Sequence, residues 1–480
     1  MDEREFRELG HDLVDRLADY LESVEGRSLY PRATPAEIEA LFDEPLPWDG
    51  SPANEVLGEL EEKLLPNCTH VNHPGYFGLI TPSPSPIGIL GDFVTSALNQ
   101  NVGAYSIAPA GVAMERRTIR WLTDLVGYDE RAGGNLTSGG MMANFTGLKL
   151  ARDWASADRA QSEGLKDPWA VYASEERHVS VDKAVDAVGV GRKQLRALPT
   201  DERFALRIDA LEEAIAQDKR AGIRPMCIVG MAGTTNTGAI DDLSALRGIA
   251  DRERMWLHVD AAYGGGMLLS RKWPGLPGLE LADSITIDPH KWFFAPLDVG
   301  AILVKDESRL ERSFGLEPPY LKDNRDTTGE RYQYYARGFE QSKRLRSLKV
   351  WMSLKRYGGK TIGTWVDRNV EQAKHLHEIV SRSETFRAAT EPRMSAICIR
   401  YEPPRALDED ALGRLHKEVA TRIEDRGRFW LSTTLLKGKW WFRICPVNLR
   451  TRLEHMDALF AELQKTCADV LAATPEPGPR

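Results

Sequence analysis

The sequence predicts an α/β protein with a mostly parallel central sheet, an N-terminal helical segment ahead of it and a small α+β domain behind it. Three observations predict this. From Gly88 to about Tyr357, short apolar runs alternate with helical stretches, the pattern of strands joined by crossover helices. Ahead of that region the chain is broken by prolines, between Pro31 and Pro52 and again in "TPSPSPIG" (Thr81–Gly88). Proline cannot continue a helix and pushes its neighbours into extended forms. After about Thr361 the texture changes to strand-like and helix-like runs of a different order. The expected boundaries are 1–85 for the helical segment, 86–360 for the large α/β domain and 361–480 for the small α+β domain.

The elements follow in order. Phe6, Leu9, Leu13, Leu17, Tyr20 and Val24 recur at spacings of three and four, which makes one apolar stripe on a helix. Such a stripe is covered by its own domain or by a second copy of the chain. "WAVYAS" (Trp169–Ser174), "MCIVG" (Met226–Gly230), "MWLHVD" (Met255–Asp260), "SITID" (Ser284–Asp288) and "VGAILV" (Val299–Val304) are buried strands. "DALEEAIAQDKRAG" and "DDLSALRGIADRER" are helices between them. In the last part, "AICIRY" and "WWFRIC" are strands, Glu409–Arg426 and Leu453–Leu471 are helices, and the tail "TPEPGPR" is expected to be disordered.

Composition narrows the function. The chain has 480 residues, enough for two or three domains, with 42% apolar and 28% charged residues. A net charge of -8 without a basic block argues against a nucleic-acid partner. Cys68, Cys227, Cys398, Cys445 and Cys467 lie far apart with no CxxC pair. That excludes a disulfide framework or a cysteine zinc site as an expectation, and fits a reducing, cytoplasmic setting with no metal. The N-terminus "MDEREFRELG" lacks the apolar core of a signal peptide, and no run of 18 apolar residues exists to span a membrane.

The chemistry is concentrated in a few stretches. "IDPHKWFFAP" (Ile287–Pro296) puts Lys291 beside aromatic residues. A buried lysine loses basicity and becomes a Schiff-base former; the alternative is a lysine whose head reaches solvent. "HVDAAYGGG" puts Asp260 at the end of a strand, where an α/β sheet binds ligands. A carboxylate there suits the ring nitrogen of pyridoxal phosphate, or serves as a cap or metal ligand. Ala261 and Ala262 leave space for a flat ring. In "NLTSGGMMANFTGLKLAR", Ser138, Gly139 and Gly140 precede a helix, and a helix N-terminus approached through glycine holds anions. It is neither the Walker pattern nor the dinucleotide fingerprint. His178 and Thr235 follow strands in loops, where function concentrates.

Taken together, "DPHKW", "HVDAAYGG", "TSGG" with "AN", "GTTNTGAID" and "RSLKVW" resemble the group II pyridoxal-phosphate-dependent amino-acid decarboxylases, the aromatic-L-amino-acid decarboxylases among them, over nearly the whole chain. The resemblance implies the fold-type I, aspartate-aminotransferase-like architecture and a homodimer with shared active sites. It implies pyridoxal 5'-phosphate held by Lys291 as a Schiff base, Asp260 on its ring nitrogen, His178 stacked on one face and Ala262 under the other. Gly139, Gly140, Thr235 and His290 would place phosphate and ring, with Ser138 as an extra donor. The family's loop tyrosine, which reprotonates the α-carbon, falls on Tyr334, with Tyr332 and Tyr335 beside it. Phenylalanine at that place marks the aldehyde synthases, so tyrosine favours simple decarboxylation.

Two departures from the family pattern stand out. Met141 and Met142 occupy places where it has a hydroxyl residue and often an acid, and a thioether is a poor hydrogen-bond partner. The substrate segment carries Leu79, Ile80, Thr81 and Ile107 in place of aromatics, an apolar set for an aromatic or long aliphatic amino acid. The expected reaction is decarboxylation of an L-amino acid to its amine and CO2. The alternatives are an aldehyde synthase, a glutamate or cysteine-sulfinate decarboxylase, an aminotransferase with Arg443 as its carboxylate clamp, and a protein that binds the cofactor without turnover.

Overall fold

Seven strands form the central sheet of the computed structural model, which describes residues 1–316, 326 and 329–474. Residues 317–325, 327, 328 and 475–480 lie outside the described residues, and so do the expectations placed on them. The described chain divides into a large unit, Pro84–Glu371 with Pro392–Ala396, and a small unit, Met1–Ser83 with Gln372–Glu391 and Ile397–Arg480.

In the large unit the strands are β1 (Gly133–Thr137), β2 (Trp169–Ser174), β3 (Leu195–Leu198), β4 (Arg224–Met231), β5 (Trp256–Asp260), β6 (Ser284–Ile287) and β7 (Gly300–Val304), in the order β1-β7-β6-β5-β4-β2-β3. β7 runs antiparallel to both neighbours, while β3, β2, β4, β5 and β6 pair in parallel. Every residue of β2, β5, β6 and β7 is buried, as expected of a sheet covered on both faces, where strands are near-continuous apolar runs. The helices that matter to the site are α1 (Pro109–Val126), α2 (Gly140–Ala155) and α3 (Val179–Ala187). Two strands have no clear sequence signal. β1 is "GGNLT", and glycine is depleted in strands; here Gly134 is needed because a Cβ would run into the carbonyl oxygen of Ile302. β3 is a four-residue edge strand, "LRAL".

The small unit holds an antiparallel sheet in the order β10-β11-β9-β8, from β8 (Phe386–Ala388), β9 (Ile397–Tyr401), β10 (Ser432–Leu436) and β11 (Lys439–Ile444). Helices Glu409–Asp425 and Leu453–Ala473 bury Leu412, Val419, Met456 and Leu463 with Phe442 and Ile444 of the sheet in one core. The N-terminal segment packs in this unit. Phe77 donates its N–H to Trp430 O at 2.8 Å and accepts from Cys445 N at 2.9 Å, and its ring stacks with Phe429 in the same core. Helix Glu3–Ser23 is capped by Asp2, whose side chain accepts from Arg4 N and Glu5 N, and none of its residues is buried. Among the described residues no helix is long and apolar enough to cross a membrane.

Two histidines in the small unit give its stability a pH dependence. Burial lowers His73 and His416 from 6.5 to about 4. Below about pH 6.5 the unfolded chain takes up protons that the folded chain refuses, so stability is complete above that pH and is lost as pH falls toward 4. The urea midpoint is expected to fall steadily over this window, and His416→Gln to flatten the slope. A midpoint independent of pH there would contradict this account.

Candidate active site

The loops that leave the carboxyl ends of β1, β2, β4, β5 and β6 converge on a cavity of about 320 Å³ in the large unit. This is where an open α/β sheet presents its loops to a ligand. Its lining includes Gly139, Gly140, Met141, Asn144, His178, Ser180, Thr235, Asp260, Ala262, Asp288, His290 and Lys291. Residues spread over about 150 positions of sequence therefore meet in one place.

Asp260 ends β5 and is buried. Its Oδ1 accepts from Ala262 N at 3.0 Å and its Oδ2 from Asn144 Nδ2 at 2.7 Å. Lys291 follows the β6 turn. Its neighbours Trp292, Phe293 and Phe294 turn into the core, while its own side chain keeps 22% exposure and its Nζ stands 3.2 Å from Asp288 Oδ2. The lysine thus meets a carboxylate, not the wholly apolar surroundings that its aromatic neighbours lead one to expect. Asp288 is buried, and its Oδ1 has no hydrogen-bond partner among the described residues. His290 Nδ1 accepts from Val299 N at 3.1 Å, which leaves the proton of the neutral ring on Nε2, 3.5 Å from Asp288 Oδ2. Burial holds His290 below the usual histidine range.

His178 caps α3 through its ring. Nδ1 accepts from Ser180 N at 3.2 Å and lies 2.8 Å from Ser180 Oγ. Burial lowers its basicity, so the neutral ring is favoured. At the start of α2, Gly139 has φ +149°, and a Cβ on Gly140 would come within 2.6 Å of Asp288 Oδ2. Backbone therefore lines this end of the cavity, and the first N–H groups of a helix have no acceptor within it.

Other expected site residues lie elsewhere. Ser138 is exposed and outside the lining, and Met142 is outside it too, whereas Met141 belongs to it. Ile107 is 54% exposed and does not line the cavity. Leu79, Ile80 and Thr81 belong to the small unit. Arg443, also of that unit, donates from Nη1 to Gly78 O at 2.9 Å and is buried there, which occupies it structurally. Tyr332, Tyr334 and Tyr335 are buried, not exposed on a loop. Tyr334 packs with Val102, Val112, Leu345 and Leu348, and is not among the residues lining the Lys291 cavity; its phenol is pushed well above its ordinary range by burial. Tyr332 donates to Glu307 Oε1 at 2.6 Å.

Asn144, His258, Ser180 and Asp288 are site residues that a residue-by-residue reading misses. A pattern did carry a signal. His258 and Asp260 are two apart on β5, Ser284 and Thr286 two apart on β6, and the strands register His258 with Ser284 and Asp260 with Thr286. Alternate residues share a face, so four polar side chains line up side by side on two neighbouring strands of the buried sheet.

Pyridoxal phosphate fits these residues. A carboxylate held by two N–H donors suits a ring nitrogen, an amine lies within the same cavity, Ala262 leaves space for a ring, and a glycine-lined helix start suits a phosphate. The model of the pyridoxal-dependent decarboxylase conserved domain matches residues 35–402. An aromatic-L-amino-acid decarboxylase of Bacillus atrophaeus is 31% identical over 472 residues, 98% of this chain and 97% of that one. A phenylacetaldehyde synthase of Petunia hybrida is 29% identical over 472 residues, 95% of this chain and 93% of that one. The crystal structure of Oryza sativa TDC with PLP and tryptamine matches with a TM-score of 0.91 at 27% identity, covering 98% of this chain and 99% of that chain. Mouse CSAD matches with a TM-score of 0.91 at 26% identity, covering 97% and 99%.

Proposed function

Since the chain belongs to the pyridoxal-dependent decarboxylase family and takes pyridoxal 5'-phosphate as its cofactor, we propose that it converts an aromatic or other large apolar L-amino acid to the amine and CO2. The observation that carries the substrate class is the lining of the cavity. Among the described residues that line it, Lys291 is its sole lysine or arginine, so a second substrate carboxylate has no guanidinium partner there. Relatives named for aromatic substrates support the same reading.

The reaction RCH(NH3⁺)CO2⁻ + H⁺ → RCH2NH3⁺ + CO2 breaks one Cα–C bond and makes one Cα–H bond. When bound, pyridoxal phosphate supplies an electron sink for the pair left by the departing CO2. The residues do the rest. Asp260 would hold the proton on the ring nitrogen. Lys291 would carry the cofactor and, once released from it, hold a proton at Nζ beside Asp288 Oδ2, 3.2 Å away. The N–H groups at the start of α2, with Thr235 and His290, would hold the phosphate. His178 would face the ring from one side and Ala262 from the other. Tyr334 remains the proposed donor to the α-carbon. Because it lies outside this chain's own cavity lining, that role needs a second chain or a rearranged loop.

The experiment is a panel of L-amino acids offered to the loaded enzyme. Phenylalanine, tyrosine or tryptophan is expected to exceed glutamate and cysteine sulfinate in kcat/KM by about 100-fold or more, the scale of a missing partner for a buried charge. An acidic amino acid as the best substrate would sink the proposal. Oxidative deamination is the second reading, favoured by the Petunia hybrida relative.

We further propose a cytoplasmic homodimer. The five cysteines are free, and Phe6 and Leu17 leave an apolar stripe of helix Glu3–Ser23 exposed in the single chain. Sedimentation equilibrium is expected to give twice the chain mass; a monomer at micromolar concentration would contradict it.

A further inference from the structure

We propose that His258 is a positioning residue for Asp260, acting through Asn144 at the end of a buried hydrogen-bond chain that runs in one direction, from Trp256 to Ser284 to His258 to Asn144 to Asp260. The proposal rests on the reading of Asp260 as the partner of the cofactor's ring nitrogen.

The two ends set the direction. An indole N–H only donates and an ionised carboxylate only accepts. Trp256 Nε1 donates to Ser284 Oγ at 2.8 Å. At the other end Asn144 gives Nδ2 to the carboxylate and so turns Oδ1 to His258 Nε2, which has to donate; Nδ1 of the neutral ring therefore accepts the serine O–H at 2.8 Å. The bond from His258 Nε2 to Asn144 Oδ1 spans 3.0 Å. Thr286 Oγ1 donates to the same oxygen at 2.6 Å. The amide is thereby oriented, and its Nδ2 is turned to Asp260 Oδ2 at 2.7 Å and to Ser180 Oγ at 2.8 Å. A flipped amide would set N–H against N–H at His258 and a carbonyl oxygen against the carboxylate.

Burial gives the chain its force. Trp256, Ser284, His258 and Asn144 are all 4% exposed or less. There, an unmade bond costs more than in water, and aligned donors polarise one another. Gly147 leaves no slack, since a Cβ on it would run into the His258 ring. The result is a carboxylate that cannot rotate away from the cavity, with Oδ2 tied to the amide and Oδ1 to Ala262 N. A branch reaches His178. Ser180 accepts from Asn144, so its O–H is free to donate to His178 Nδ1, and the His178 proton stays on Nε2. One amide thus orients the group for the ring nitrogen and also bonds the serine whose backbone N–H fixes the tautomer of the histidine on the ring's face.

The test uses His258→Leu, His258→Gln and Ser284→Ala in the full chain, with cofactor affinity and the absorbance spectrum of the bound cofactor as readouts. His258→Leu is expected to weaken pyridoxal phosphate binding by about tenfold or more, the scale of a lost hydrogen bond feeding a charged group, and to alter the spectrum. His258→Gln keeps a donor near the place of Nε2 and is expected to stay within about threefold of wild type. In the protein without cofactor, ¹⁵N-histidine NMR is expected to show His258 and His178 both protonated on Nε2, and His258 to lose that preference in Ser284→Ala. Wild-type affinity and spectrum in His258→Leu, or Gln as impaired as Leu, would overturn the proposal. If His258→Leu does not fold, Ser284→Ala decides: an unchanged His258 tautomer with unchanged affinity overturns it. Failure of the underlying reading looks different, because wild-type affinity would then also persist in Asp260→Asn.

Discussion

Lys291→Ala is expected to leave a folded chain that no longer fixes its cofactor covalently and that decarboxylates about 10³-fold more slowly or worse, the scale at which removal of a covalent catalyst is felt. Borohydride treatment followed by intact-mass measurement reads the first effect directly. Wild type should gain the mass of a reduced pyridoxal phosphate adduct, and the variant should gain nothing. The structural reason is that Lys291 is the sole lysine lining the cavity among the described residues, held at its rim by the turn in which Lys291 N donates to Asp288 O at 2.8 Å. Adduct formation in the variant at another lysine would move the chemistry out of this cavity and overturn the assignment.

The largest stability effect is expected from Lys343→Met. Lys343 is buried with Glu115 of α1, Nζ to Oε1 2.8 Å, and both side chains are 2% exposed or less. Lys343 also donates to Asn135 Oδ1 and Leu136 O, and Leu136 N donates to Glu115 Oε1 at 3.0 Å. The pair thereby ties α1 and β1 to the segment that carries Tyr334, whose ring lies 5.1 Å from Nζ. Removing one partner leaves a buried charge without compensation and costs about 3–5 kcal/mol, a large share of the total stability of a typical domain. Burial already pushes the Glu115 carboxyl up, with Lys343 opposing. Without the lysine it rises further. A carboxyl raised in the folded state stabilises below its unfolded value and loses that contribution as pH rises, so the defect should be larger at pH 8 than at pH 5.5. Urea unfolding at both pH values measures this. The double variant Glu115→Gln with Lys343→Met is expected to recover most of the loss. A single variant as stable as wild type would refute the role of the pair.

Much of the fold is legible in the sequence, and the physical reasons differ by element. β2 is Trp169–Ser174 to the residue, because six consecutive side chains are buried and no charged residue interrupts the run. Helix Ile208–Arg220 shows its 3.6-residue period plainly, with Leu211 and Ile215 inward. β1 escapes, since "GGNLT" owes its place to close approach by β7 and not to strand propensity. In the site, Lys291, Asp260 and His178 are legible because each is a reactive group at, or within four residues after, the carboxyl end of a strand. Asn144, His258 and Ser284 are not, although the stretches "HVDAAYGG" and "SITID" contain two of them. Their meaning lies in the register between β5 and β6, which no single stretch displays. Tyr334 shows the opposite limit. Its place in sequence agrees with a loop acid, yet its ring is enclosed by Val102, Leu345 and Leu348.

The proposed decarboxylation without oxidation is read from a product balance in D2O with the wild-type enzyme, pyridoxal phosphate and L-phenylalanine or L-tryptophan. Amine, CO2 and dissolved oxygen are followed together. One amine per CO2, one deuterium on the former α-carbon and no oxygen consumed are expected. An aldehyde with ammonia and oxygen uptake would contradict the proposal, as would a keto acid formed without CO2.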